Sequence, residues 1–327
     1  MIINGFLPFS GQHCETTATG NLLKHIGIEL SEPMLFGIGE GLGFIYWDMK
    51  NMSFPFIGGR IKPDLLTRNL VNNLGLHIDI KETSSSKTAW DNARENIDTG
   101  IPVGLKLDSY HLDYFTHKVH FAAHYVAMYG YDDKYAYLVD TIQQGGTVKA
   151  SLENLSLARN EKGPMSSRNL SYTISKYRDI PELKNVVIKA IKNNAQDFLN
   201  PPIKNMGYKG IEKTSVEIRN WFKRSENIER DLKLAAVLME SGGTGGAIFR
   251  NIYKDFLKEC LTLLNNKNLE NAYTLFCEIA LLWTEVARLI DKAGETKEII
   301  FLNQASDIIS ALAVKEKEAM ELLSNIG

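Results

Sequence analysis

The chain has 327 residues, 37 basic and 39 acidic side chains, and 44% hydrophobic content. That near-neutral balance excludes the broad electrostatic footprint of a nucleic-acid or anionic-membrane binder, while the apolar content can fill the core of one large or two ordinary domains. Three scattered cysteines, Cys14, Cys260 and Cys277, make no disulfide framework; the apolar start lacks a basic n-region and no run reaches membrane-span length, so the expectation is a cytoplasmic protein.

In chain order, the first predicted element is a helix opening at Cys14. Ala18, Leu22, Leu23 and Ile26 recur at helical spacing and Gly27 offers a C-cap. A thiol at a helix N-terminus meets the positive end of the macrodipole and unpaired backbone N–H groups, which stabilise a thiolate and can hold an oxyanion. The competing reading is a small residue that merely packs. Next comes Phe36-Gly37-Ile38-Gly39-Glu40-Gly41-Leu42-Gly43-Phe44, whose glycines permit close backbone approach. With no clear strand before it and no Lys-Ser/Thr after it, it reads as a wall of an active-site cleft rather than a phosphate loop.

Residues 64–74 and 88–98 read as helices, and 101–107 as a short strand with Pro102 near its start. Two aromatic and β-branched runs, 120–130 and 135–140, flank a Gly/Asp-rich turn and make a hairpin; 169–177 is one more strand. Beyond Pro181 the apolar spacing turns helical throughout: 186–198, 211–222, 228–239, 248–264, 268–290 and 297–325. The division is therefore 1–180 as a mixed domain and 181–327 as an α-helical one, with Cys260 and Cys277 as packing residues of amphipathic helices. Ser241-Gly242-Gly243-Thr244-Gly245-Gly246-Ala247 reads as a hinge between helices, or as an anion site for a phosphopantetheine phosphate.

A nucleophilic cysteine needs a base and a group to orient it. Among seven histidines the hairpin selects His124. A three-residue turn at Tyr131 to Asp133 sets His124 directly opposite Asp140, whereas a two- or four-residue turn moves its partner to Thr141. Asp140 then fixes the imidazole tautomer and leaves the other ring nitrogen for Cys14. Cys, His and Asp follow in papain-like order. His120 lies on the same strand face as His124 and reads as structural or as a substrate contact; His25, His77, His111 and His117 carry no such geometry. Zinc would need more ligands than Cys14, His120 and His124 supply, and neither Cys-x-x-Cys nor His-Glu-x-x-His occurs, so neither metal nor cofactor is expected.

Several stretches resemble a known family. Gly11-Gln12-His13-Cys14-Glu15-Thr16 with Leu22-Leu23, Ser31-Glu32, the glycine segment at 36–44, Gly100-Ile101-Pro102-Val103 with Asp108 and Tyr110, His124 with Gly130-Tyr131-Asp132, and Val139-Asp140 are similar to the butirosin-biosynthesis BtrH-type N-terminal family. Residues 249–257, Phe249 to Leu257, with Trp283 downstream, resemble the helical domain often attached to it.

The resemblance implies an α+β fold: a papain-like domain related to double-glycine leader peptidases, with an antiparallel sheet and an N-terminal nucleophile helix, followed by an α-helical domain. It implies movement of an acyl group from a carrier-protein (pantetheine-type) thioester to a small-molecule amine through an acyl-cysteine. Cys14 is then nucleophile, His124 base and Asp140 orienter. The usual oxyanion-hole glutamine position holds Pro8, which leaves Gln12 for that role. His13, Glu32, Asp108, Tyr110 and Arg250 complete the oxyanion or substrate-binding set, with Glu32 and Asp108 either attracting a cationic amine or capping a helix or turn. Aminolysis requires water to be excluded, and the helical domain is the expected lid. The alternatives are a cysteine hydrolase, peptidase or thioesterase, with the same triad, and an inactive carrier-protein or peptide-binding module. No nucleic-acid or membrane partner is expected, and the oligomeric state stays open, a homodimer included.

Overall fold

The computed structural model describes residues 1–50 and 52–327. In chain order the elements are α1 (Cys14–His25), α2 (Glu32–Ile38), β1 (Leu42–Trp47), β2 (Phe56–Arg60), α3 (Leu65–Asn73), β3 (His77–Lys81), α4 (Ser86–Asp98) and β4 (Val103–Leu107). They continue with β5 (His124–Tyr131), β6 (Tyr135–Val139), β7 (Thr147–Ser151), α5 (Leu152–Asn160) and β8 (Ser171–Ser175). The remainder is helical: α6 (Leu183–Leu199), α7 (Gly207–Glu217), α8 (Trp221–Arg224), α9 (Ile228–Glu240), α10 (Arg250–Leu261), α11 (Lys267–Thr296) and α12 (Ile299–Ser324). The fold class is α+β, as the sequence implies. Among the described residues no helix is long and apolar enough to cross a membrane.

The chain divides into two compact units, and the division differs from the linear split at 180. One unit takes residues 1–35 and 63–181; the other takes 36–62 and 182–327. The β1–β2 hairpin, early in sequence, thus belongs with the C-terminal helices.

In the first unit a sheet of order β3-β8-β4-β5-β6-β7 is antiparallel at every pairing. Alternation sends Val103, Leu105 and Leu107 of β4, with Val126 and Met128 of β5, to one face. There they pack against Ala93 and Ile97 of α4 and Leu155 and Ala158 of α5. On β4, Gly104 lies opposite Tyr172 of β8; a Cβ at Gly104 would fall 2.2 Å from the Tyr172 ring. Tyr172 in turn reaches α1, its hydroxyl 3.0 Å from Thr19 Oγ1. Every residue of α1 from Cys14 to Leu23 is buried, including Glu15, Thr16, Thr17, Thr19 and Asn21. Such a helix lasts only if its polar groups are paired. Glu15 accepts from the backbone and hydroxyl of Thr67, and Asn21 exchanges bonds with the Phe9 backbone. Polar anchoring, more than the apolar stripe, therefore fixes where Cys14 lies.

In the second unit α11 packs against α9, α10 and α12, and α12 against α6 and α7. Trp221, Trp283, Phe256, Phe276 and Tyr253 form its interior. The early hairpin is tied in by the Tyr46 amide, which donates to the Asn205 carbonyl at 2.9 Å, and by Asn194, which donates to the carbonyls of Glu40 and Leu42. The glycine segment serves the packing of its own unit. A Cβ at Gly37 would sit 2.2 Å from the Phe256 ring; outside the segment, on β2, one at Gly59 would sit 2.2 Å from the Ile248 carbonyl oxygen.

Candidate functional site

Cys14 is the first residue of α1, behind the extended backbone of His13 (φ −97°, ψ 130°), and is 8% exposed. The turn ahead of it is held by Glu32. That carboxylate accepts from the amides of Gln12 (2.9 Å) and His13 (2.8 Å) and from the Thr16 hydroxyl (2.8 Å). An anion here satisfies donors at the positive end of the helix. Gly11 makes the approach possible, since a Cβ there would lie 2.6 Å from Thr17 Oγ1 and 2.8 Å from Glu32 Oε1. Of the two roles weighed for Glu32, capping is the one these bonds describe.

His124 opens β5 and Asp140 follows the last residue of β6, so both stand at the open end of the hairpin. The register is not the one expected. Ala127 pairs with Val139 and Met128 with Leu138, while nearer the turn Gly130 pairs with Tyr137 and Tyr131 with Ala136. Tyr129 is an extra residue on β5, a bulge. Continued past Val139, this register sets Asp140 opposite Val126, diagonal to His124 rather than across from it. A diagonal neighbour on the same face remains within reach of an imidazole. The four-residue connection from Tyr131 to Ala136 would alone place Asp140 on the other face; the bulge restores the parity.

The resulting contacts are short and dry. His124 Nε2 lies 2.7 Å from Asp140 Oδ2, with His124 6% and Asp140 0% exposed. The same oxygen accepts from the Tyr114 hydroxyl at 2.8 Å, and Oδ1 accepts from the Thr141 amide at 2.6 Å. Phe115 sets its ring edge-on to His124, centroids 5.2 Å apart. Cys14 lies close enough to His124 to act on the titration of its ring. Since Asp140 takes Nε2, Nδ1 is the nitrogen that remains for the thiol. Burial works against a charged ring, yet the charge and hydrogen bond of Asp140, with a further contribution from Cys14, raise the His124 pKa to about 10. The 3-10 turn after Asp140 is also tied to the nucleophile loop, because the Ile142 amide donates to the Gly11 carbonyl at 2.9 Å. Burial and the Asp140 carboxylate push the Tyr114 phenol well above its ordinary value.

The structure therefore brings Cys14, His124 and Asp140 together, and the other sequence candidates have different surroundings. Gln12 is exposed and its amide is engaged by Glu32. His13 is buried, with Thr16 Oγ1 3.3 Å from its Nδ1. Asp108 is buried, accepts from the Tyr110 amide at 2.8 Å and lies 3.4 Å from His120 Nδ1, again a capping role. Tyr110 is 39% exposed and stacks on His120. Arg250 cannot be a substrate contact as expected: it is 0% exposed and fully engaged. Nε and Nη2 donate to Glu316, and Nη1 donates to the carbonyls of Gly59 and Ile248. In the glycine-rich 241–247 segment, the Ala247 amide donates to Glu240 and the Gly246 amide to the Thr244 hydroxyl. Sequence reasoning missed Tyr114 and Phe115, since a loop aromatic carries no periodic signal.

Comparisons with known proteins add the following. The chain shares 17% identity with a protein from Bacillus anthracis described as a C39-like peptidase, over 54% of this chain and 98% of that one, with a TM-score of 0.38, a likeness too distant to bear on the reaction. No curated protein matches. Residues 13–141 match the model described as butirosin biosynthesis protein H, N-terminal, and residues 153–323 match the domain of unknown function DUF4872. The second match takes in more than half of the chain, and the first contains Cys14, His124 and Asp140. The chain belongs to the family that joins a butirosin biosynthesis protein H N-terminal region to a DUF4872 domain.

Proposed function

We propose that the protein is a cysteine acyltransferase that moves an acyl group from a carrier-protein thioester to an amine, with Cys14 as nucleophile, His124 as acid and base, and Asp140 as orienter. The observation that carries this reading is the buried relay in which Cys14 and Asp140 flank one imidazole. The raised pKa of His124 favours a protonated imidazole beside the Cys14 sulfur. Family membership supports a biosynthetic setting, because the matching model takes its name from butirosin biosynthesis.

In the first half-reaction the Cys14 sulfur attacks the thioester carbonyl. The bond from that carbon to the carrier sulfur breaks, and the departing thiolate takes the His124 proton. In this reading the backbone N–H groups at the start of α1, the helix that opens at Cys14, serve as donors to the developing oxyanion. In the second half-reaction an amine attacks the acyl-cysteine, His124 takes the amine proton, and the Cys14 thiolate leaves with the carbon–sulfur bonding pair. The low exposure of His124 and Asp140 supports aminolysis, since water competes poorly in a dry site.

The test is intact-mass analysis after incubation with short N-acetylcysteamine thioesters, comparing wild type with C14A, followed by addition of amines. Adduct on wild type alone and amide as product are expected. Free acid as the sole product makes the protein a hydrolase. Absence of any adduct, with Cys14 alkylated no faster than Cys260, makes it a binding module; Cys260 is an apt standard because burial pushes its thiol up.

A further inference from the structure

A second cluster of ligating side chains lies in the first unit, at the foot of the loop that leads into β5. His111 ends a short 3-10 turn, Ser109–His111; Glu161 follows the last residue of α5; His120 stands four residues before His124. One ligand atom from each lies within 4.8 Å of the others. His111 Nε2 is 2.6 Å from Glu161 Oε2. His120 is oriented twice over: Tyr110 stacks on its ring, centroids 4.0 Å apart and planes within 10°, and the buried Asp108 carboxylate lies 3.4 Å from its Nδ1.

We infer that His111, His120 and Glu161 form a binding site for a divalent transition-metal ion of the zinc class, and that the ion staples the 112–119 loop at both ends. Two imidazoles and one carboxylate make a ligand set suited to zinc, cobalt or nickel and unsuited to magnesium or calcium, which take oxygen ligands. A carboxylate beside a ligating histidine is the usual companion of such sites: it fixes the ring and raises its basicity. Metal takes the place of the His111–Glu161 hydrogen bond, and the ligand atoms settle to the separation of roughly 3.4 Å implied by bonds of about 2.1 Å in a tetrahedron. The fourth position faces solvent, since the His120 side chain is 58% exposed. The stapled loop carries Tyr114, which bonds Asp140, and Phe115, which packs on His124. Occupancy therefore restricts the segment that buttresses the relay, without the ion entering it. The sequence reading missed the site because it grouped His120 with His124 and Cys14, whereas the fold supplies His111 and Glu161.

The test uses the full chain carrying C14A, which removes the competing thiol at the relay. Equilibrium dialysis against zinc chloride, read by elemental analysis, is expected to give one tight equivalent per chain, and magnesium chloride none. Cobalt substitution is expected to give the visible bands of a tetrahedral ion. H120A and E161Q alter exposed or half-exposed side chains and are expected to fold, as circular dichroism verifies; each should weaken zinc binding by at least about tenfold and remove the cobalt bands. No zinc equivalent on C14A, or binding and bands unchanged in both H120A and E161Q, overturns the inference. Acyl transfer plays no part in these readouts, so failure here leaves the proposed reaction standing, and failure of that reaction leaves the metal site standing.

Discussion

Asp140 reaches His124 diagonally across the β5–β6 hairpin, its Oδ2 2.7 Å from Nε2, although the two residues are not register partners. The bulge at Tyr129 makes the contact possible by returning both side chains to one face. Orientation of the imidazole thus depends on one inserted residue at the far end of a short strand.

Replacing Asp140 by asparagine keeps the shape and removes the charge that holds the imidazolium. Acyl transfer should fall by about 10²–10⁴-fold, and the rate of Cys14 alkylation at neutral pH should fall with it. Single-turnover acylation with a thioester mimic measures the first, and iodoacetamide labelling the second. An unchanged acylation rate would remove Asp140 from the mechanism.

The raised His124 pKa also sets a pH dependence of stability. The folded ring holds its proton up to about pH 10, whereas an unfolded histidine releases it near 6.5. Between these values the folded state binds more protons than the unfolded one, so stability declines as pH rises. The contribution is complete below pH 6.5 and lost as pH passes through about 10. Urea titrations of wild type and H124Q should converge across that window; a constant difference would contradict the assignment.

Tyr114→Phe removes one donor from Asp140 and leaves those of His124 and Thr141. A hydrogen bond to a buried charged group contributes about 1.5–3 kcal/mol, so a loss in that range is expected by urea unfolding. Acylation should slow less than in D140N, because the imidazole keeps its partner.

In the helical unit, Gly37→Ala pits two effects against each other. Helix propensity favours alanine by about 0.5–1 kcal/mol, while overpacking costs about 1–3 kcal/mol. The new Cβ would meet the buried Phe256 ring at 2.2 Å, so overpacking wins and the variant should be less stable. Restoring stability by trimming Phe256 to leucine in the same chain would locate the clash.

The Arg250–Glu316 pair is 0% exposed on both sides, and Trp283 Nε1 also donates to Glu316 at 2.5 Å. Breaking it with R250M alone should cost about 3–5 kcal/mol, since a carboxylate stays buried without its countercharge. The double variant R250M/E316L should recover much of that loss, which denaturant midpoints would show.

Much of this was legible in the sequence, for reasons that differ by element. The helices α6, α7 and α9 to α12 announce themselves because each carries an apolar face at helical spacing, whereas the stretch 211–222 read as one helix ends in a 3-10 turn and the short α8. The pairing of His124 with Asp140 followed from strand alternation, yet its register did not, since no residue type marks Tyr129 as a bulge. Glu32 closes the turn before Cys14 from beyond the end of α1, and such a long-range cap leaves no local pattern. Arg250 looked available because charged residues usually face water; its partner lies 66 positions downstream. The glycines at 36–44 signalled close approach correctly, but only the fold names Phe256 as the neighbour at Gly37.

The interleaved division of the chain also has a consequence for how it is made. Residues 36–62 leave the ribosome long before the helices they pack with, so the nascent protein must carry an orphan hairpin until the helices beyond residue 182 have followed. A fragment ending near residue 181 would strand that hairpin permanently, with the Tyr46 amide deprived of the Asn205 carbonyl and the Leu42 carbonyl of the Asn194 side chain. Dissecting this protein by simple truncation should therefore yield aggregation, whereas excising the hairpin together with the C-terminal half offers the sounder route to an isolated N-terminal unit.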